Sequence, residues 1–266
     1  MLTLKRFFVV GALTIALVLG IAAYNVFKAP AASSGTLEAI PIAATAAPAA
    51  QAEPTAASAT DTPAAQAEPT AAAAEQPTAT AEASAQAGDT VTFQISQEES
   101  EARFLIDEVL NNAPKTVVGA TSQVAGEIAI DPANPDLTRI GVIQISARDL
   151  TTDSEFRNRA IKNSILDTDQ YELITFTPSE VIGLPDSASV GEGYTFQIVG
   201  DLTIRDVTQR VTFEVSANAA SDQRLEGTAT ATINYADFGI SIPQVPQVAS
   251  VAEQVRLELE FVALAA

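Results

Sequence analysis

From residue 91 onward, hydrophobic and polar positions alternate with a period of two. Tyr194, Phe196 and Ile198, then Leu202 and Ile204, are interleaved with Thr195, Gln197, Asp201, Thr203 and Arg205. Val211, Phe213 and Val215 alternate with Thr212, Glu214 and Ser216, and Val255, Leu257, Leu259 and Phe261 with Arg256, Glu258 and Glu260. Successive side chains of a strand point to opposite faces, so this pattern predicts half-buried antiparallel strands. Weaker copies predict further strands at 91–95, 102–106, 126–130, 141–147, 173–177 and 227–233. Asp131-Pro132, Leu184-Pro185-Asp186 and Gly191-Glu192-Gly193 separate them as turns. One stretch, DSEFRNRAIKNSIL from Asp153, has its apolar residues four apart and predicts a short helix capped by Asp153 or Ser154. Many strands and one helix imply an all-β sandwich or a closed barrel.

The chain ahead of these strands follows other patterns. Residues 7–27 carry no charge and lie between Lys5, Arg6 and Lys28. At about 1.5 Å per residue they would form a helix of about 31 Å, enough for a bilayer core of about 30 Å. Residues 1–28 are therefore expected to be a membrane anchor with the remainder outside the cytoplasm. A cleaved export signal ending near Gly20 and Ala22 is the alternative, and it exports the rest equally. Of residues 29–88, 26 are Ala and seven are Pro, with no aromatic, Lys or Arg, and AAQAEPTAA occurs at both 49–57 and 64–72. Proline interrupts helices and nothing here builds a core, so a low-complexity linker is expected. Residues 89–266 are long enough for one domain.

Charge and composition narrow the chemistry. The net charge is −19, and −16 of it belongs to 89–266, which argues against nucleic acid as a partner. With no Cys and no His, disulfides, thiol nucleophiles, Ser–His–Asp triads and histidine-ligated metals are excluded. Asp237-Phe238-Gly239 lacks every companion of the kinase magnesium motif and reads as a turn around a buried Phe. Asp131, Asn134 and Asp136 are too few, and too broken by Pro, for an EF-hand loop. A carboxylate pair for glycoside hydrolysis is conceivable, yet the acids fall mostly on outward strand positions or turns. No catalytic residue, cofactor or metal is assigned.

Several stretches resemble the YceI-like family, exported lipocalin-like barrels that bind polyisoprenoid and related lipids. TFQISQEESEARFLIDEVL is similar to its opening strands, and VAGEIAIDPANPDLTRIGVIQISARDLTTD to the next two. RNRAIKNSILDTDQYELITFTP resembles its helix and following strand, and GDLTIRDVTQRVTFEV with GTATATINYADFGI its closing region. Glu172, Leu173 and Tyr235 depart from that pattern, and so does the turn Arg205-Asp206-Val207-Thr208, where relatives often carry His. The resemblance implies an extended antiparallel barrel with a long apolar pore. It makes the chain a lipid-binding protein, not an enzyme, with an isoprenoid or other long apolar lipid and the membrane as partners.

In such a barrel the inward residues would be Phe104, Ile106, Ile128, Ile130, Ile143, Ile145, Ile174, Phe176, Phe196, Ile198, Phe213, Val215, Leu257 and Leu259. Ala229 and Ala231 would leave room. Arg157, placed by helical spacing among Phe156, Ala160 and Ile161, is expected at the barrel mouth, facing an anionic or polar head group. Periodicity alone puts first side chains that fill the interior, which would leave a tethered structural or partner-binding module with no ligand, and the resemblance reverses that order.

Overall fold

The computed structural model describes residues 28–33, 35–42, 90–244, 246 and 248–266. Among the described residues thirteen strands form one antiparallel sheet. They are β1 (Val91–Ile95), β2 (Glu101–Leu110), β3 (Ala113–Thr121), β4 (Val124–Ala125), β5 (Glu127–Ile130), β6 (Arg139–Ile140), β7 (Ile143–Ser146), β8 (Leu173–Ile182), β9 (Gly193–Ile204), β10 (Val207–Ser221), β11 (Arg224–Asn234), β12 (Val248–Val251) and β13 (Gln254–Ala265). Helix α1 (Glu155–Ala160) continues into a π-helical turn, Ile161–Ile165. Ser154 is its N-cap and accepts the Arg157 backbone N–H, as the sequence predicts.

The sheet curls because its path runs β4-β7-β8-β9-β10-β11-β13-β1-β5-β6, and only Gly126 separates β4 from β5 in sequence. One continuous stretch thus pairs with β7 through Val124 and Ala125 and with β1 through Glu127 to Ile130. Gly126 allows this seam, since a Cβ there would lie 2.5 Å from Ile143 Cδ1. Strand β13 also changes partner: residues 256–260 pair with β2 and 263–265 with β1. Buried Ser100 bridges the change, donating to Val262 O and accepting Val262 N–H at 3.0 Å. The β2–β3 hairpin turns on Asn111 and Asn112, at φ 50° and 62°, the left-handed pair that suits a two-residue loop.

The strands have two ends. Strand β9 runs from Gly193 to the Arg205-Asp206 turn, and antiparallel pairing brings the start of β8, the end of β11 and the start of β13 to that turn's end. Helix α1, its π turn and the 3-10 turn Tyr235–Phe238 belong to the same end. Ile161, Leu166, Val211, Ala231, Ile233 and Phe238 are buried there in one cluster, and Phe238 is 2% exposed. This is the closed end. The opposite end carries the connections 131–138, 183–192 and 222–223.

Two sequence expectations need restating. Among the described residues no helix is long and apolar enough to cross a membrane, and the expected span at 7–27 lies outside them. Of the expected linker, 29–33 and 35–42 lie against the barrel wall, bonded among others to Asp169 and Glu127; residues 43–88 lie outside the described ones.

Candidate functional site: an apolar cavity

The inward faces of the strands do not meet. They enclose a cavity of about 810 Å³, in the upper part of the about 300–1,000 Å³ usual for ligand sites. Fourteen of the sixteen residues expected to line the barrel do so; Ile106 and Ala231 do not. Both are buried, and register explains their absence. Ile106 lies two residues nearer the closed end than the lining Phe104, and Ala231 two residues nearer it than the lining Ala229.

The cavity is visible in the burial of its walls. Ile128, Ile145, Ile174, Ile198, Phe213 and Leu257 point inward yet are only half-buried, because an unfilled space lies in front of them. Phe176 and Phe213 meet edge to face within it, their ring centres 4.9 Å apart and their planes at 68°. Toward the open end the wall passes into Leu184, Pro185 and Val190 from one connection, Tyr194 at the start of β9, and Pro132 and Pro135 from another connection. Val190 and Leu137 at this rim are 53% and 56% exposed, leaving apolar side chains in water around the mouth.

Sequence reasoning missed Val91, Phe93 and Ile95 of β1, Leu202 and Ile204 of β9, Ile140 and Phe261. Their alternation was legible for all but Ile140, which lies just outside the expected strand 141–147. Leu184 to Val190 follow no period, and no local signal marked them.

Polar groups are few. Asp131 is almost wholly buried and closes its own turn, accepting the Ala133 N–H at 3.0 Å, the Asn134 N–H at 3.3 Å and Asn134 Nδ2 at 3.2 Å. Arg103 and Glu258 touch the cavity and are already paired at 3.2 Å, and Arg103 also binds Glu260 and Glu101. Glu260 above all, with Glu258, raises the pKa of the guanidinium above its ordinary value, so its charge is spent within this cluster.

Arg157 is a correction. It does not line the cavity; it lies at the closed end, opposite the mouth. Its Nη2 binds Glu108 at 2.8 Å and its Nη1 binds Asp153. Helical spacing put it correctly near the apolar face but could not reveal that Glu108, on β2, projects beneath it.

Comparison with known proteins now adds the decisive observation: residues 93–263, more than half of the chain, match the YceI-like domain. The chain belongs to the YceI-like family. A UPF0312 protein of Staphylococcus aureus strain MSSA476 is 31% identical over 102 residues, 36% of this chain and 53% of that protein. The chain therefore spans about half the length of that relative. A UPF0312 protein of Pseudomonas putida strain W619 is 31% identical over 136 residues, 47% of this chain and 64% of that protein. Among solved structures, a polyisoprenoid-binding domain from Saccharophagus degradans, described as implicated in plant cell wall breakdown, superposes with a TM-score of 0.52. It is 14% identical, over 66% of this chain and 99% of its own. BcnA of Burkholderia cenocepacia superposes with a TM-score of 0.51 at 18% identity, over 63% of this chain and 98% of its own. At such identities these likenesses establish the YceI-like fold.

Proposed function

We propose that this protein holds an isoprenoid or similarly long apolar lipid in the barrel cavity, outside the cytoplasm, on a chain anchored through residues 7–27. The cavity carries the reading: inward isoleucines and phenylalanines stand half-buried around unfilled space, where a filled-core scaffold would have them in contact. Each methylene moved from water into such a site contributes about 0.8 kcal/mol. A tail already in a bilayer gains little by the same transfer, so the protein exchanges lipid near balance rather than trapping it. Binding, not catalysis, is its role: at the cavity Asp131 is committed to its own turn, and Arg103 and Glu258 to ion pairs.

Solvent extraction of the purified full chain, followed by mass spectrometry, tests this directly. A stoichiometric polyprenyl or comparable long-chain lipid is expected. A protein that yields none, and that takes up none when titrated with a polyprenol, rules the reading out.

A further inference from the structure

Residues 28–42 lie outside the family match yet are bonded to the barrel along their length. The order of those bonds is directional. Lys28 Nζ pairs with Asp169, the Ala31 N–H donates to Asp169 Oδ1 at 3.1 Å, and Asn163 Nδ2 donates to Lys28 O at 2.8 Å. Arg148 Nη1 reaches Ala32 O at 3.2 Å. All three barrel residues lie in or beside the helical segment that seals the closed end. Further along, Gln97 Nε2 donates to Leu37 O at 2.6 Å, and the Ile42 N–H donates to Glu127 Oε2 at 3.0 Å, partway toward the mouth.

The wall is built to receive this segment. Glu127 is 8% exposed, and its two oxygens accept Gln94 Nε2 and the Ile42 N–H; without the strap one donor to a buried carboxylate is lost. Gly141 makes room, since a Cβ there would stand 3.2 Å from Ile42 Cγ1 and 3.3 Å from Glu127 O. Leu37, Ala39, Ile40 and Ile42 are half-buried, while Gly35, Thr36 and Glu38 are exposed.

We propose that residues 28–42 are a strap that holds the closed end of the barrel toward the membrane of its own anchor and turns the mouth away. The orientation rests on the reading of 7–27 as that anchor, because Lys28 follows Phe27 directly and is fixed to the closed end. On that reading residues 28–42, and not the low-complexity stretch, set the orientation between barrel and bilayer. Lipid enters and leaves on the side facing away from the anchoring membrane.

The chain has no Cys, so labels can be placed singly or in pairs. With nitroxides at Thr36→Cys and Ser164→Cys of the full chain, pulsed electron resonance should give one narrow distance distribution. Gly141→Val and Glu127→Ala should broaden it; a broad distribution without those changes overturns the strap. For orientation, a fluorophore is placed at Ser164→Cys or Val190→Cys, with the protein in phosphatidylcholine vesicles carrying a headgroup quencher. Quenching at Ser164 should exceed that at Val190 severalfold. Equal quenching, stronger quenching at Val190, or failure of the chain to float with vesicles overturns the orientation. Lipid recovered by extraction is unaffected by any of these outcomes, so loss of the strap and loss of the lipid reading are distinguishable.

Discussion

The two ends of the barrel are made from the same strands with the same alternation, and they end differently. At the closed end, α1, its π turn and the turn around Phe238 insert side chains between the sheet faces, and Ile161, Leu166, Ile233 and Phe238 become a packed core. At the mouth, the connections 131–138, 183–192 and 222–223 pass over the rim without inserting anything of that size, and the inward residues below them face a cavity. A period of two therefore decides which residues face inward. Whether the inside is filled depends on what the connections contribute.

The sharpest way to break this contrast is to truncate one phenylalanine at each end. Phe238→Ala removes a ring from a filled site and should cost about 3–5 kcal/mol. Phe213→Ala removes a half-buried ring beside space that already exists, so it should cost less than the about 2 kcal/mol that marks the low end for buried apolar truncations. Urea unfolding of lipid-free protein measures both, and equal losses would mean that the cavity collapses in solution.

Arg157 supplies the next test, because it separates the ends by function. Glu108 beneath it has a 7% exposed side chain, and Arg157 itself is 20% exposed. Removing one partner of a fully buried pair costs about 3–5 kcal/mol; with this solvent access Arg157→Ala should cost about 2–3 kcal/mol. Lipid affinity should stay unchanged, since the pair lies at the end away from the mouth. A loss of headgroup-dependent affinity without loss of stability would restore Arg157 to the binding site.

At the mouth end the converse change is Ala229→Trp. Ala229 lines the cavity, and a larger side chain there occupies the space that lipid would take. Affinity for polyprenol should fall at least about tenfold, or about 1.4 kcal/mol, with the unfolding midpoint little changed. The chain has no Trp, so the new indole also reports its surroundings by emission wavelength. Unaltered affinity would place the lipid elsewhere.

How much of this was legible in the sequence follows from the kind of signal each feature leaves. Strand faces were legible because β-branched and aromatic residues alternate, and fourteen of the sixteen inward residues fall on the cavity wall. The extent of the cavity was not, because Ile106 and Ala231 obey the same alternation and differ only in lying one inward position nearer the closed end than Phe104 and Ala229. The rim residues Leu184 and Val190 lie on an aperiodic connection, and Glu108 is distant in sequence from Arg157. The strap did leave a trace: Leu37, Ile40 and Ile42 are the only Leu, Ile, Val, Met or aromatic residues between 29 and 88. Averaging composition over sixty residues concealed three apolar side chains that now pack on the wall.

The smallest expected effect concerns the strap at the closed end, and its sign follows from Asp169. The Lys28 ammonium, through its hydrogen bond, and then the Ala31 N–H hold the Asp169 carboxyl below its ordinary 3.8, with Arg148 adding to the field. A carboxyl with a depressed folded-state pKa contributes stability above its unfolded value and loses it as pH falls through the folded one. The contribution of Asp169 to strap docking is therefore complete at neutral pH and declines only below about pH 3.8. Because the pair is partly exposed, salt should weaken it as well. The distance distribution between labels at Thr36→Cys and Ser164→Cys should thus hold its width from pH 7 to pH 5 and broaden on further acidification. In Asp169→Asn the width should already be larger at pH 7 and change less with acid. Identical profiles for the two proteins would show that Lys28 and Ala31 do not rely on that carboxylate, and that Asn163, Arg148, Gln97 and Glu127 hold the strap without it.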